Sequence, residues 1–201
     1  MRIKRELLYY PSEIQPVSAC PLLFIHGAWH GAWCWEPHFL PYFAGAGYHS
    51  YALSLSGHGG SWVDRSLRCI GIGDYVEDVA RAAHELERLH GVSPVLIGHS
   101  MGGYVVQKFL ETYTVPAAIL LATIPSTGAG PFMLRVIRQH PLSYLRALFT
   151  MRAYPLIGTP ALAHTYFFST TMPREEVAQY HKQMQDESVL VSFQASLLNL
   201  P

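Results

Sequence analysis

The feature of this sequence that most restricts its fold is the hexapeptide GHSMGG at residues 98–103. The apolar run PVLI at residues 94–97 precedes it and is typical of a short buried strand. Residues 104–110 follow without a helix breaker and can form a helix that packs back on that strand. Gly98 and Gly102 lack a Cβ atom, so the backbone can turn sharply between the two elements. The stretch therefore predicts a strand, a tight turn and a helix.

Ser100 lies at the tip of this predicted turn, in the pattern G-x-S-x-G of a nucleophile elbow. Its hydroxyl can meet a base on one side, and the N–H of Met101 at the helix start can face a developing oxyanion. The alternative is a Gly-Ser turn without a chemical role. The flanking strand and helix favour Ser100 as a catalytic nucleophile. Neighbours on a tight turn point in different directions, so we expect His99 to lie under the turn.

Two further segments contain glycine next to histidine, and each follows an apolar run. They are FIHGAWHGAW at residues 24–33 and SGHGGS at residues 56–61. In this order and spacing, the three segments resemble the α/β-hydrolase family of the esterase, lipase and hydroxynitrile-lyase-like type, from about Pro21 to the end of the chain. The resemblance implies an α/β-hydrolase fold, in which a mostly parallel sheet is flanked by helices and carries a helical cap.

The resemblance also implies a chemistry for this fold. It implies hydrolysis of an ester or similar acyl bond of a small apolar substrate through an acyl-Ser100 intermediate, with no cofactor. The N–H groups of Ala28 and Met101 would form the oxyanion hole. The pocket residues expected with them are His26, Gly27, Trp29 and His99. For Trp29 and its near neighbour Trp33, a role in packing and a role in the pocket wall both stay open.

The histidines of these loops are not predicted to bind metal. His26 and His30 have no carboxylate beside them and lack the helical i, i+4 spacing of a metal site. In the family, the histidine at the position of His58 usually fixes its loop, so we expect a structural role there. Asp74 is better placed as an N-terminal residue of the helix predicted over residues 74–90 than as a catalytic acid.

The chain divides by composition near residue 124. Residues 1–124 are predicted to form the α/β core, with strands at 3–10, 21–25, 48–55, 94–97 and 117–122 and helices at 33–46 and 74–90. From Pro125 onward, prolines separate short amphipathic pieces, which predicts a helical cap region over residues 125–201. Its predicted helices lie at 132–140, 142–150, 174–185 and 188–198. The last core strands of the family are expected to be absent, because the chain stops about where the seventh strand would begin.

No acid or histidine after Ser100 follows an apolar strand that could aim it at the turn. The candidates all sit within or between helical pieces; the histidines are His140, His164 and His181. In this fold a carboxylate and then a histidine follow the serine, so both triad partners are expected to be missing and this form of the chain inactive. Two other interpretations stay open: a non-catalytic relative that binds a small apolar ligand, and a fragment of a broken hydrolase gene.

Charge and cysteine content give weaker expectations about partners and location. Acidic and basic residues balance, so overall charge favours neither nucleic acid nor an anionic membrane surface. Three cysteines without disulfide or metal spacing, and an apolar N-terminal run too short for a signal peptide, predict a cytoplasmic protein. Prolines and glycines interrupt the long uncharged span at residues 112–134, so no membrane span is expected. Association with an identical or complementing chain is possible.

Overall fold

A five-stranded sheet forms the centre of the computed structural model, which describes residues 3–198. The strands of this sheet are β2 Glu6–Tyr10, β3 Leu22–Ile25, β4 Ser50–Ser54, β6 Val95–His99 and β7 Ala118–Leu121. Their order in the sheet is β2-β4-β3-β6-β7, and only β2 runs antiparallel to its neighbour. A separate two-stranded sheet joins β1 (Ile3–Lys4) to β5 (Trp62–Val63).

Strand β3, at the centre of the sheet, is buried on both faces. Its four side chains are buried and alternate between two apolar clusters. Leu23 and Ile25 pack with residues of α2 (Ile72–His90) and α3 (Met101–Leu110). Leu22 and Phe24 pack on the other face, where α1 (Phe39–Gly45) contributes Leu40. Because successive side chains of a strand point to opposite faces, a continuous apolar run here requires helices on both sides.

The helix predicted over residues 33–46 is wrong as a single element. The structure has a 3₁₀ turn at Ala32–Trp35 and then α1, which begins at Phe39. Pro37 has no N–H to continue the hydrogen-bond ladder, and His38 has non-helical dihedral angles. The helix predicted over residues 74–90 is confirmed and starts two residues earlier, at Ile72. Asp74 accepts a hydrogen bond from the Gly71 N–H at 2.8 Å, the N-terminal role expected for it.

The part of the chain after β7 is helical, as its proline-punctuated pattern predicts. It forms a cluster of its own around Val136, Ile157 and Ala163, and Trp29 of the core joins this cluster. Residues 188–198 form a short helix followed by a π-helical turn, yet Val191 and Ala195 pack in the main core. The helices are α4 Gly130–Gln139, α5 Pro141–Thr150, α6 Pro160–Phe167, α7 Arg174–His181 and α8 Val189–Phe193. Residues 199–201 of the predicted cap region lie outside the described residues.

Within residues 3–198, no helix is both long enough and apolar enough to cross a membrane.

Candidate functional site

Ser100 occupies a strained turn between β6 and α3. Its φ and ψ angles are 52° and −117°, a conformation that costs a non-glycine residue about 1–3 kcal/mol. The surrounding backbone holds this geometry, because the Ser100 N–H donates to the Leu121 carbonyl at 2.9 Å and the Tyr104 N–H donates to the Ser100 carbonyl at 3.1 Å. The side chain is partly exposed. The strain therefore presents the hydroxyl at the carboxyl end of the sheet.

The glycines of the turn are required by close backbone contacts. A Cβ atom on Gly98 would lie 2.7 Å from the Gly102 carbonyl oxygen, so strand and helix approach too closely for any side chain there. A Cβ atom on Gly102 would overlap the carbonyl oxygens of Ile25 and His26. The elbow therefore packs directly on the end of β3, and these contacts bring the loop after β3 next to Ser100.

That loop supplies a second backbone N–H beside the turn. A Cβ atom on Gly27 would lie 3.2 Å from the Ser100 Cβ, which shows how closely the loop passes. Within the described residues, neither the Ala28 N–H nor the Met101 N–H donates a hydrogen bond. Two N–H groups from neighbouring loops are therefore available to a ligand near Ser100, and such groups can hold a negatively charged oxygen.

His26 is fully buried and fixes the loop after β3. Its Nε2 accepts a hydrogen bond from the Leu55 N–H at 3.0 Å, so the proton is on Nδ1, which donates to the Gly27 carbonyl at 2.8 Å. Burial is the largest of the effects that hold the pKa of His26 well below its ordinary value. The sequence places His26 among the pocket residues, but in the structure its ring has no exposed surface with which to contact a substrate.

Trp29 and His30 join the same loop to the helical region. Trp29 adopts a φ of 64°, is 7% exposed and packs against Phe167 of α6 with ring centres 5.6 Å apart. His30 stacks on Trp33 at 5.3 Å and donates from Nδ1 to the Ala28 carbonyl at 2.7 Å. Burial, as the largest effect, lowers the pKa of His30 to about 4. Trp29 thus packs between the loop and α6. At neutral pH the imidazole of His30 beside it is uncharged.

His99 lies beside the turn and is only partly exposed. Its ring meets the edge of Trp35 at 6.3 Å, and its Nδ1 lies 3.0 Å from where a Gly27 Cβ would be. Burial lowers its pKa. Within the part of the chain that the structure describes, no side chain hydrogen-bonds to the Ser100 Oγ, and His99 is no exception. The site therefore combines a strained serine with two backbone N–H groups that have no hydrogen-bond partner in residues 3–198, and among the same residues no titratable side chain hydrogen-bonds to the serine hydroxyl.

Residues 185–188 (QDES) contact the loop after β3, the loop at residues 56–61 and the segment before α2. From the sequence, Asp186 and Glu187 were considered only as catalytic acids that no strand aims at the turn, and these contacts were not predicted. The Gln185 N–H donates to the Trp29 carbonyl at 3.0 Å, and the Gln185 Oε1 accepts from the Gly59 N–H at 2.5 Å. The Ser188 hydroxyl donates to the Ile70 carbonyl at 2.7 Å. The signal in the sequence was a run of four polar residues just before the apolar residues of α8.

Glu187 of this segment is buried against His58. The Glu187 Oε2 and the His58 Nε2 lie 3.2 Å apart, and neither side chain is exposed. The Glu187 Oε1 accepts hydrogen bonds from the Tyr75 hydroxyl and the Ser188 N–H, both at 2.7 Å. Burial alone would lower the pKa of His58, but the carboxylate outweighs it and raises the pKa above its ordinary value. The pair ties the loop at residues 56–61 to the segment after α7, so His58 has the structural contacts expected of it.

The histidines of these loops are not part of a cluster of metal-ligand side chains in the described residues. Across residues 3–198, no group of three or more His, Cys, Asp or Glu side chains is arranged to hold a metal ion. Both His26 and His30 already use ring nitrogens for backbone carbonyls.

Comparison with known proteins places this geometry among hydrolases. Residues 22–198 match the family model described as "Alpha/beta hydrolase family". A pFDCC methylesterase of Arabidopsis thaliana is 34% identical over 102 residues, which are 50% of this chain and 37% of the relative. A probable esterase of Oryza sativa subsp. indica is 33% identical over 115 residues, or 53% of this chain and 40% of the relative. The matched region thus spans well under half the length of these curated relatives.

Solved structures agree on the fold. A carboxylesterase structure from Nitrososphaera gargenis superposes with a TM-score of 0.65 at 18% identity, and the match covers 99% of this chain and 70% of that one. A monoacylglycerol lipase from Paleococcus ferrophilus gives a TM-score of 0.63 at 19% identity, covering 97% and 69%. The predicted α/β-hydrolase fold, with a mostly parallel sheet flanked by helices, is confirmed. The chain belongs to the α/β-hydrolase family.

Proposed function

We propose that this chain carries the nucleophile of an esterase, with Ser100 attacking the carbonyl carbon of a small apolar ester. The observation that carries the proposal is the strained, partly exposed Ser100 beside two N–H groups that donate to nothing else in the described residues. The curated relatives include several named as esterases or methylesterases, which supports ester chemistry for the whole protein.

In the proposed reaction, the Ser100 oxygen forms a bond to the carbonyl carbon and the hydroxyl proton passes to a base. The carbonyl oxygen becomes an oxyanion that accepts hydrogen bonds from the Ala28 and Met101 N–H groups. Collapse of this intermediate breaks the ester bond, and the base returns the proton to the departing oxygen so that the alcohol leaves. Water then hydrolyses the acyl-Ser100 that remains. Serine acyl transfer of this kind needs no cofactor.

The substrate class that we propose is a methyl or similarly small ester of an apolar carboxylic acid. Relatives named as a pFDCC methylesterase, a methyl jasmonate esterase and a methylesterase support this class. The apolar wall that Trp29 and Phe167 form next to the loop fits an apolar acyl group. We also propose a cytoplasmic location, which is supported by the free thiols of Cys20, Cys34 and Cys69.

A second candidate function is binding of a small apolar ligand without catalysis. It is favoured by one observation: in the described part of the chain, no histidine hydrogen-bonds to the Ser100 hydroxyl. Loss of triad members costs on the order of 10⁴ to 10⁶ in rate. The 201-residue chain should therefore hydrolyse p-nitrophenyl acetate no faster than its Ser100→Ala variant.

Chemical rescue separates the two functions. Imidazole added to the chain with p-nitrophenyl acetate supplies a base from solution, and acetylation of Ser100 is then followed by peptide mapping and mass spectrometry. We expect Ser100 to be acetylated at a rate that rises with imidazole concentration and exceeds that of every other serine in the same digest. Labelling of Ser100 no faster than of other exposed serines would reject the nucleophile and leave ligand binding.

A further inference from the structure

Charge is distributed unevenly along this chain even though its net charge is zero. Residues 112–174 contain five arginines and no aspartate, glutamate or lysine. The rest of the chain carries the compensating excess of acid. Within the acid-free stretch lie α4 and α5, which pack against each other. The two helices therefore form a surface in which every formally charged side chain is cationic.

Three of these arginines are exposed on α4 and α5 without an acidic partner. They are Arg135, Arg138 and Arg146. Among the described residues, none of the three forms an ion pair, whereas Arg152, just after α5, pairs with Asp186. Unpaired arginines on an acid-free surface leave a positive potential that favours an anionic partner.

Helix α5 also exposes large apolar side chains. Leu142 is 80% exposed and Phe149 is 87% exposed, while Ala147 faces the protein interior. With Leu145, they follow the spacing i, i+3, i+7 and so lie on one side of the helix. Further exposed apolar residues on or beside the two helices are Phe132, Leu134, Leu148 and Met151. We call the exposed side chains of α4 and α5 the α4–α5 surface.

We propose that the α4–α5 surface docks on an anionic phospholipid bilayer. The combination of arginines with outward leucine and phenylalanine is that of helices which lie in the membrane interface, with apolar side chains at the acyl boundary and cations among the headgroups. Phosphatidylserine-rich leaflets supply the complementary negative charge. A second copy of the chain fits less well, because a two-fold interface through this surface would bring the arginines of both copies together with no acidic side chain of α4 or α5 to pair with them.

The proposal is independent of the chemistry at Ser100, since it uses no residue of that site. Its test is flotation of the full chain through a density gradient with vesicles, because vesicle-bound protein rises and aggregated protein sinks. Vesicles of phosphatidylcholine alone are compared with vesicles that also contain phosphatidylserine. We expect the chain to float with the anionic vesicles, less so at high salt, and to remain at the bottom with the neutral ones.

Two variants on the α4–α5 surface and a control variant on α2 locate the binding surface. The triple variant Arg135→Gln, Arg138→Gln, Arg146→Gln should weaken partition into anionic vesicles about 100-fold, since each arginine near such a surface contributes about fivefold. The double variant Leu142→Ser, Phe149→Ser should also weaken it. The control is Arg88→Gln, Leu89→Ser, which removes one exposed cation and one exposed leucine from α2 instead. Thermal melting confirms that each variant is folded.

Three outcomes would overturn the proposal. The first is equal flotation with neutral and anionic vesicles. The second is an equal loss of binding in the α2 control variant. The third is that both α4–α5 variants still bind anionic vesicles but no longer self-associate in light scattering without vesicles. That result would assign the surface to a second copy of the chain.

Discussion

The buried pair of His58 and Glu187 allows one substitution to test what joins the helical region to the core. Glu187→Gln keeps the size and shape of the side chain but removes its charge. The amide oxygen can still accept from the Tyr75 hydroxyl and the Ser188 N–H, which lie 2.7 Å from the Glu187 Oε1. His58, whose Nε2 lies 3.2 Å from the other carboxylate oxygen, loses its counter-charge.

The expected cost follows from the burial of both groups. Breaking a buried ion pair by removing one partner costs about 3–5 kcal/mol. Because Gln retains two hydrogen bonds to the site, we expect a loss near the lower end, about 3 kcal/mol of the free energy of unfolding at pH 6. For a chain of this length each kcal/mol shifts the melting temperature by about 2–4 °C, so the variant should melt about 6–12 °C below the parent.

The loss should depend on pH with a definite sign. The pKa of His58 is raised in the folded chain, so its contribution to stability is complete below about pH 6.5 and is lost as pH rises through the folded value. His26 and His30 have lowered pKa values, and their contributions are lost as pH falls below 6.5. Both proteins contain these two histidines, and burial is the largest cause of their shifts in each, so the difference between parent and variant reports mainly on His58. The destabilisation should be larger at pH 6 than at pH 9.

Urea denaturation of parent and variant at both pH values measures the effect. The control is Glu77→Gln, which removes a carboxylate from a half-exposed helical pair with Arg81 and should cost less than about 1 kcal/mol. A Glu187→Gln variant as stable as the Glu77→Gln control would refute the reasoning. So would a destabilisation that is the same at pH 6 and pH 9.

Two further predictions concern the elbow and the sheet edge. Gly102→Ala should destabilise the chain by about 3 kcal/mol or more, because the new methyl group overlaps the carbonyl oxygens of Ile25 and His26. The control Gly73→Ala, whose new Cβ atom has no other atom within 4 Å, should instead stabilise the chain by about 0.5–1 kcal/mol. Thermal melts of the two variants compare these effects. Strand β7 is an edge of the described sheet, and Ile119 on it is 48% exposed, so β7 can pair with a strand of another chain. Ile119→Lys should therefore reduce self-association, which size-exclusion chromatography with light scattering measures. A monomeric parent chain would contradict this prediction.

The local sequence was sufficient to predict the elbow and its surroundings. Backbone conformation alone specifies a strand for the run PVLI, a turn for the glycines at 98 and 102, and a helix for the residues after them, which contain no helix breaker. The structure has β6, a Ser100 with φ of 52° and α3 at these positions. Helix α2 was predictable for the same reason, since its apolar stripe and its Gly91 terminator are local signals. The prediction of one helix across Pro37 was wrong. The spacing of apolar residues there favours a helix, but Pro37 has no N–H to continue the hydrogen-bond ladder.

Tertiary structure alone decided which distant residues meet. Glu187 pairs with His58 and Tyr75 because folding buries a polar run that, in the sequence, resembles a solvated linker between helices. Burial likewise decides the charge state of His26 and His30, which no spacing reveals. The zero net charge of the chain gave no hint of the α4–α5 surface, because a sum over residues is independent of their positions. Strand, turn and helix arise from interactions between residues near in sequence, whereas pKa values, ion pairs and surface potential depend on distances that only the folded chain defines.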